Sequence, residues 1–154
     1  MKATDLLKKD HAAVKKLFAD FDKTSQRAVK KRRQLADKIT AELEVHAAIE
    51  EEIFYPAMRR ASNARDLVEE AQREHAEVKQ MVAEIRGLGP DDASLADRMA
   101  ALREAVEHHV REEEGEMFRR ARELGDEELE RLGGALKERK QALAGGRRAS
   151  RKAA

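Results

Sequence analysis

The sequence predicts an all-α protein: an antiparallel up-down-up-down four-helix bundle with a short extra C-terminal helix and a disordered basic tail. Three observations carry this. Ala, Leu, Glu, Lys and Arg dominate the 154 residues, aromatics are 3% and there are two prolines, a composition that favours helix and opposes a β sandwich. Four segments repeat their apolar residues at steps of three and four. Short polar links join them, which makes consecutive helices antiparallel neighbours. The length suits one domain with one sizeable core. The bundle domain is placed at residues 1–143 and a flexible basic tail at 144–154.

The first helix is expected to start at Thr4 or Asp5, both good N-cap types, and to run to Asp22 with Leu7, His11, Val14, Phe18 and Phe21 facing inward. After a polar link at "KTSQ", the second runs from about Arg27 to Arg60. Its stripe is Leu35, Ile39, Leu43, His46, Glu50 and Phe54, and Pro56 must kink it or loosen its last turns. "ASNARD" breaks the chain before a third helix carrying Val68, Ala71, His75, Val78, Val82 and Ile85. "GLGP" stops that helix. The fourth opens near Ser94 and carries Leu95, Met99, Leu102, Val106, His109, Glu113 and Met117. A short fifth helix is expected from about Asp126 to Ala142, and "GGRRASRKAA" reads as disordered.

An internal repeat runs through this plan. "DHAAVKKLF" (Asp10 to Phe18) lies over "EHAEVKQMV" (Glu74 to Val82), pairing Asp10 with Glu74, His11 with His75 and Lys15 with Lys79. His46 lies over His109, pairing Glu50 with Glu113, Glu51 with Glu114 and Tyr55 with Phe118. The chain thus holds two copies of one unit, a helix with one His followed by a helix with His-x-x-x-Glu. His11, His46, His75, His109, Glu50 and Glu113 all occupy positions that the apolar rhythm assigns to the core. Residues i and i+4 share a helix face, so each Glu points the same way as its His.

Two buried carboxylates side by side are costly without compensating positive charge, and no Lys or Arg sits near them on these stripes. Bound cations are the economical answer, and mixed nitrogen and oxygen ligation suits iron or manganese better than calcium or magnesium. Taken singly, each His reads as an ordinary core histidine and each His-x-x-x-Glu as a surface pair; six in register on four stripes favour a metal site. His108 breaks the rhythm, aligns with Val45 and reads as a flanking residue. Tyr55 reads as packing. Phe54 and Met117, one turn beyond the two Glu, read as the apolar floor of the metal cavity. Gly115, inside the fourth helix, suggests a close helix approach.

The order His, His-x-x-x-Glu, His, His-x-x-x-Glu on successive helices resembles the hemerythrin-like HHE cation-binding family over about Leu6 to Arg122. The resemblance implies a bundle with two non-haem iron ions joined by a bridging oxo or hydroxo group, with manganese as the alternative metal. It implies that His11 and His46 serve one ion, His75 and His109 the other, and that Glu50 and Glu113 bridge. Two positions depart from the oxygen carriers of that family. Where those have a further His one turn after the helix-three His, this chain has Lys79. Where they have an Asp five residues after the helix-four His, it has Glu113 after four. The loss of a ligand leaves an open position on each metal and favours redox chemistry over reversible oxygen carriage.

The expected function is therefore a di-iron protein reacting with dioxygen or peroxide, including catalase-like or peroxidase-like turnover in oxidative or nitrosative stress. The alternatives are non-enzymatic dioxygen or nitric oxide binding or sensing, iron buffering, and a purely structural bundle. The expected partners are those small molecules. A formal net charge of +1 shows no bias toward nucleic acid or an anionic membrane. "KKRR" (Lys30 to Arg33) reads as a solvated face, and the basic tail lacks the interleaved aromatics that stack on bases. The absence of cysteine excludes thiolate metal sites and disulfides. With no signal peptide and no apolar run of membrane-spanning length, the expected location is the cytoplasm.

Overall fold

The computed structural model describes residues 1–153 except Ser62 and Pro90, and of residues 147–153 only the backbone. It is all-helical. The long helices are α1 (Ala3–Asp22), α2 (Val29–Ile49), α4 (Arg65–Arg86), α5 (Leu95–Glu112) and α7 (Asp126–Ala153). Short α3 (Tyr55–Ala61) and α6 (Phe118–Ala121) continue α2 and α5 beyond two π-helical segments, Glu50–Phe54 and Glu113–Met117.

These π segments begin at the two core glutamates. The backbone N–H of Tyr55 donates to the Glu50 carbonyl and that of Phe118 to the Glu113 carbonyl, each spanning five residues rather than four. Pro56 lacks an N–H and clashes with the carbonyl four residues back, so it favours a widened turn ahead of it. It explains only the first segment, because its counterpart in the second half is Arg119. The repeat therefore extends to the backbone. Gly115 lies in the second π segment, and a Cβ there would meet nothing within 4 Å, so no close helix approach accounts for it.

The core has two apolar clusters. One gathers Leu7, Phe54, Tyr55, Met58, Val68, Met117 and Phe118, joined by Leu129, Leu132 and Leu136 of α7. The other gathers Val14, Phe18, Ile39, Leu43, Val82, Ile85, Met99 and Leu102. The buried His and Glu side chains form a polar layer with neighbours from both. At the far end of the second cluster, Arg33 donates to the carbonyls of Ile85 and Leu88, and Arg32 sits 5.3 Å over the Phe21 ring. Two of the four "KKRR" side chains are thus half-buried fastenings rather than solvated ones.

Three expectations are corrected. Helix α1 starts at Ala3 with Lys2 at its N-cap and no side-chain cap, so neither Thr4 nor Asp5 fills that role. The fifth helix does not stop near Ala142: α7 is 28 residues long and its backbone stays helical to Ala153 through the segment expected to be a tail. It packs on α1 and α2. Gly125, at φ +88°, makes the turn into α7. Gly133 lets the chain start pass across it, because a Cβ there would lie 2.0 Å from the Met1 carbonyl oxygen. Pro90 and the side chains of Arg147, Arg148, Arg151 and Lys152 lie outside the described residues. Among the described residues no helix is long and apolar enough to cross a membrane.

Candidate metal centre

All six side chains singled out in the sequence converge. His11 comes from α1, His46 from α2, His75 from α4 and His109 from α5; Glu50 and Glu113 open the two π segments. All six are buried, Glu50 at 0% and Glu113 at 2% exposure. His11, His46, Glu50 and Glu113 form one group that could hold a metal ion, and Glu50, His75, His109 and Glu113 a second. The two glutamates belong to both.

Within the first group His11 Nε2 lies 3.1 Å from His46 Nε2 and 3.3 Å from Glu113 Oε1, and His46 Nε2 lies 3.1 Å from Glu50 Oε1. Within the second, His75 Nε2 lies 3.2 Å from His109 Nε2 and 3.3 Å from Glu50 Oε1, and His109 Nε2 lies 3.2 Å from Glu113 Oε2. Two donors each about 2.1 Å from one ion at a right angle are about 3.0 Å apart, so these spacings fit ligands around a shared cation. Glu50 Oε1 neighbours both groups, while Glu113 offers one oxygen to each. Glu50 Oε1, Glu50 Oε2 and Glu113 Oε1 are buried and accept no hydrogen bond. Such carboxylate oxygens carry a heavy desolvation cost that a cation would offset.

An outer ring of carboxylates fixes the imidazoles. His11 Nδ1 faces Glu114 Oε2 at 2.7 Å, His46 Nδ1 faces Asp10 Oδ2 at 3.0 Å, His75 Nδ1 faces Glu51 Oε2 at 3.1 Å and His109 Nδ1 faces Glu74 Oε1 at 2.8 Å. A proton held on each Nδ1 leaves Nε2 free to ligate, the usual means of orienting metal-binding histidines. The repeat pairs Asp10 with Glu74 and Glu51 with Glu114. Their agreement in type was the signal for this ring, but the pairing alone assigned them no role.

Tyr55 is the correction at this site. It is fully buried, donates its hydroxyl to Glu113 Oε2 at 2.6 Å and lies 3.2 Å from His75 Nε2 and 3.4 Å from His109 Nε2. On a regular α-helix residue 55 would stand roughly 140° around from Glu50; the π segment swings it onto the site. Its counterpart Phe118 stacks on His11 with centroids 6.2 Å apart. The two halves of the centre therefore differ at this one aromatic position. Phe54 and Met117 are buried as expected, Phe54 packing edge-on against Phe118.

Electrostatics follow the same plan. Burial opposes charging of His46, but Glu50 and Asp10 outweigh it and raise its pKa to about 10. For His109 burial is likewise overcome, by Glu113 and Glu50, to about 11. Burial also opposes charging of His75, yet Glu50 and Glu51 raise its pKa. Burial works against ionised Glu50, yet His46 beside it holds the carboxyl well below its ordinary value. Burial and the two core carboxylates push Tyr55 well above its ordinary value, so its hydroxyl keeps the proton.

Beside the four histidines lies an apolar cavity of about 360 Å³ walled by Val14, Leu43, Val78, Val82 and Val106. Lys79 also borders it, but its ammonium reaches out to Glu51 Oε1 at 2.7 Å and the side chain is 54% exposed. His108 belongs to neither of these two groups and is 57% exposed.

Fold and site together define a helical cation-binding domain with a buried cluster of His and Glu side chains able to hold metal. The chain belongs to the Hemerythrin HHE cation binding domain family, which matches residues 2–121. It is similar to a crystal structure of an HHE cation-binding domain-containing protein from Mycobacterium kansasii, a homologue of Rv2633c. That match has a TM-score of 0.83 and 27% identity, over 95% of this chain and 89% of that one. The uncharacterized protein Rv2633c of Mycobacterium tuberculosis is 26% identical over 94% of this chain and 89% of its own length. A DNA nickase of Nostoc is 30% identical over 77% of this chain, which spans only 33% of the nickase.

Proposed function

We propose that the chain is a non-haem di-iron protein that reacts with dioxygen or peroxide. His11 and His46 would hold one ion, His75 and His109 the other, and Glu50 and Glu113 would bridge. The observation that carries this reading is the pair of glutamates shared between two histidine pairs, with three carboxylate oxygens buried and unbonded. Mixed nitrogen and oxygen donors without thiolate suit iron, with manganese next. When bound, iron would supply the redox chemistry toward an O–O bond. The protein's own contributions are separate. The outer carboxylates fix each imidazole, the valine-lined cavity admits small apolar molecules while limiting water, and Tyr55 holds a proton at its hydroxyl between Glu113 and the second histidine pair.

The up-down-up-down arrangement is part of the same proposal. Its support is the opposed order of contacts. Arg33 meets Leu88 while Arg59 meets Gln72, and Glu84 meets Arg98 while Glu74 meets His109.

The second reading is reversible binding or sensing of dioxygen or nitric oxide without turnover, favoured by the apolar lining of the cavity. Peroxide disproportionation by purified, iron-loaded protein separates the two. Sustained turnover supports the first reading. A stable, reversible oxygen adduct with no peroxide consumption supports the second and rejects the first.

A further inference from the structure

The repeat fails at one surface cluster where the failure has a structural pattern. Glu74, His108 and Glu112 correspond to Asp10, Val45 and Ile49 in the first half. There α7 packs on α1 and α2, Val45 and Ile49 are buried, and Lys140 of α7 forms an ion pair with Asp10. No helix is packed in the equivalent place over α4 and α5 among the described residues, and His108 and Glu112 stand there instead, 57% and 48% exposed.

These two side chains converge with Glu74. His108 Nε2 lies 3.2 Å from Glu74 Oε2 and 3.2 Å from Glu112 Oε1. The three atoms fall within metal-ligand reach of one another. Glu74 is only 9% exposed, and its Oε2 is fully buried and accepts no hydrogen bond, while Oε1 is engaged by His109 Nδ1. Among the described residues no lysine or arginine forms an ion pair with Glu74 or Glu112; Arg73 and Arg120 pair instead with Glu70 and Glu116.

Behind the cluster is a pocket of about 200 Å³ between α4 and α5. Glu70, Glu74, Glu112 and Glu116 line it, and at its inner end it reaches His109 and Glu113 of the centre. An acidic cleft with low-dielectric walls concentrates cations and speeds their arrival. A cation held at Glu74 would sit one carboxylate away from His109.

We propose that Glu74, His108 and Glu112 form a peripheral divalent-cation site, and that the acidic pocket behind it is the route by which metal enters the centre. The site is distinct from the six inner ligands. Its donors, one imidazole and two carboxylates with an open outer side, suit weak capture of a hydrated divalent ion rather than permanent retention. The entry role rests on reading the inner cluster as a metal centre; the peripheral binding does not.

The test uses the whole chain with His108→Ala combined with Glu112→Gln, and His108→Gln alone as the milder variant. Neither residue belongs to the centre. Anaerobic loading of chelator-stripped protein with iron(II) should slow by about tenfold in the double variant, the lower end of what a charged cleft contributes to an on-rate. Final metal content and absorption spectrum should match wild type. Calorimetric titration of metal-loaded protein with manganese(II) should show one weak additional site in wild type, lost in the double variant and weakened in His108→Gln. Unchanged loading and identical titrations overturn the proposal. Loss of the weak site with unchanged loading overturns the entry role. Wild-type protein whose inner cluster takes up no metal fails the reading of the centre instead, and the manganese titration then decides the peripheral site alone.

Discussion

Tyr55 and Glu113, 58 residues apart in the chain, are joined by a 2.6 Å hydrogen bond that breaks the symmetry of an otherwise duplicated site. The first half contributes a phenol to the second half's core carboxylate, and the second half returns only the ring of Phe118 against His11. Each ion would therefore have a different aromatic neighbour, although their histidines and glutamates match.

Tyr55→Phe should retain full metal occupancy, because the proposed ligands are untouched, but slow peroxide consumption by about 100-fold, the lower range for loss of a positioned proton donor. Metal analysis and steady-state oxygen evolution check the two halves of this statement. A rate equal to wild type removes Tyr55 from the chemistry; loss of metal reassigns it to metal retention.

The glutamates and the outer carboxylates should separate by severity. Glu50→Ala or Glu113→Ala strips a group shared by both ions and should leave less than about one metal per chain. Glu74→Gln, Asp10→Asn, Glu51→Gln and Glu114→Gln each alter a carboxylate that orients one imidazole and should weaken metal affinity roughly 10–100-fold. His108→Ala should leave the equilibrium content unchanged. Competition against a chelator of known affinity measures all of them, and equal losses for His108→Ala and His109→Ala would mean that the inner and outer faces of α5 are misassigned.

The inner cluster was legible because an internal repeat places the same residue types twice on stripes that apolar periodicity marks as core. The phenol was not, because an extra residue per turn at Glu50–Phe54 changes which residue faces inward, and periodicity assumes a constant turn. Asp10, Glu51, Glu74 and Glu114 were visible as conserved types between the two copies, yet nothing in a sequence says that a carboxylate sits behind an imidazole. The extent of α7 was hidden by the glycine-led basic segment "GGRRASRKAA", which reads as disordered although Gly145 and Gly146 lie within the helix.

Lys79 tests the step from oxygen carrier to reactive site. It stands where the oxygen carriers that resemble this chain have another His, and its ammonium is turned outward to Glu51. Lys79→His should offer a further nitrogen toward the cavity, slow peroxide consumption and lengthen the life of an oxygenated state. Lys79→Leu removes the ion pair with Glu51 without adding a ligand and serves as the control. Matching spectra and rates for wild type and Lys79→His would contradict the expectation.

Stability against pH should have opposite signs with and without metal. In chelator-stripped protein His46 and His109 have pKa values raised to about 10 and about 11 from an ordinary 6.5. Their contribution is complete below 6.5 and is lost as pH rises through those values. Thermal midpoints of stripped protein should therefore fall between pH 7 and pH 10. Metal requires deprotonated imidazoles, so loaded protein should instead lose stability toward low pH as protons displace the metal. Parallel thermal scans compare the two; superimposable profiles would mean that the histidines do not exchange protons for metal.

The most direct measurement is the metal content of protein purified after iron-replete expression, read by elemental analysis beside its absorption spectrum. The arrangement of His11, His46, His75 and His109 around Glu50 and Glu113 predicts about two iron ions per chain, with charge-transfer absorption in the near ultraviolet. Zinc alone, or less than about one metal per chain, would contradict the di-iron centre on which the proposed function rests.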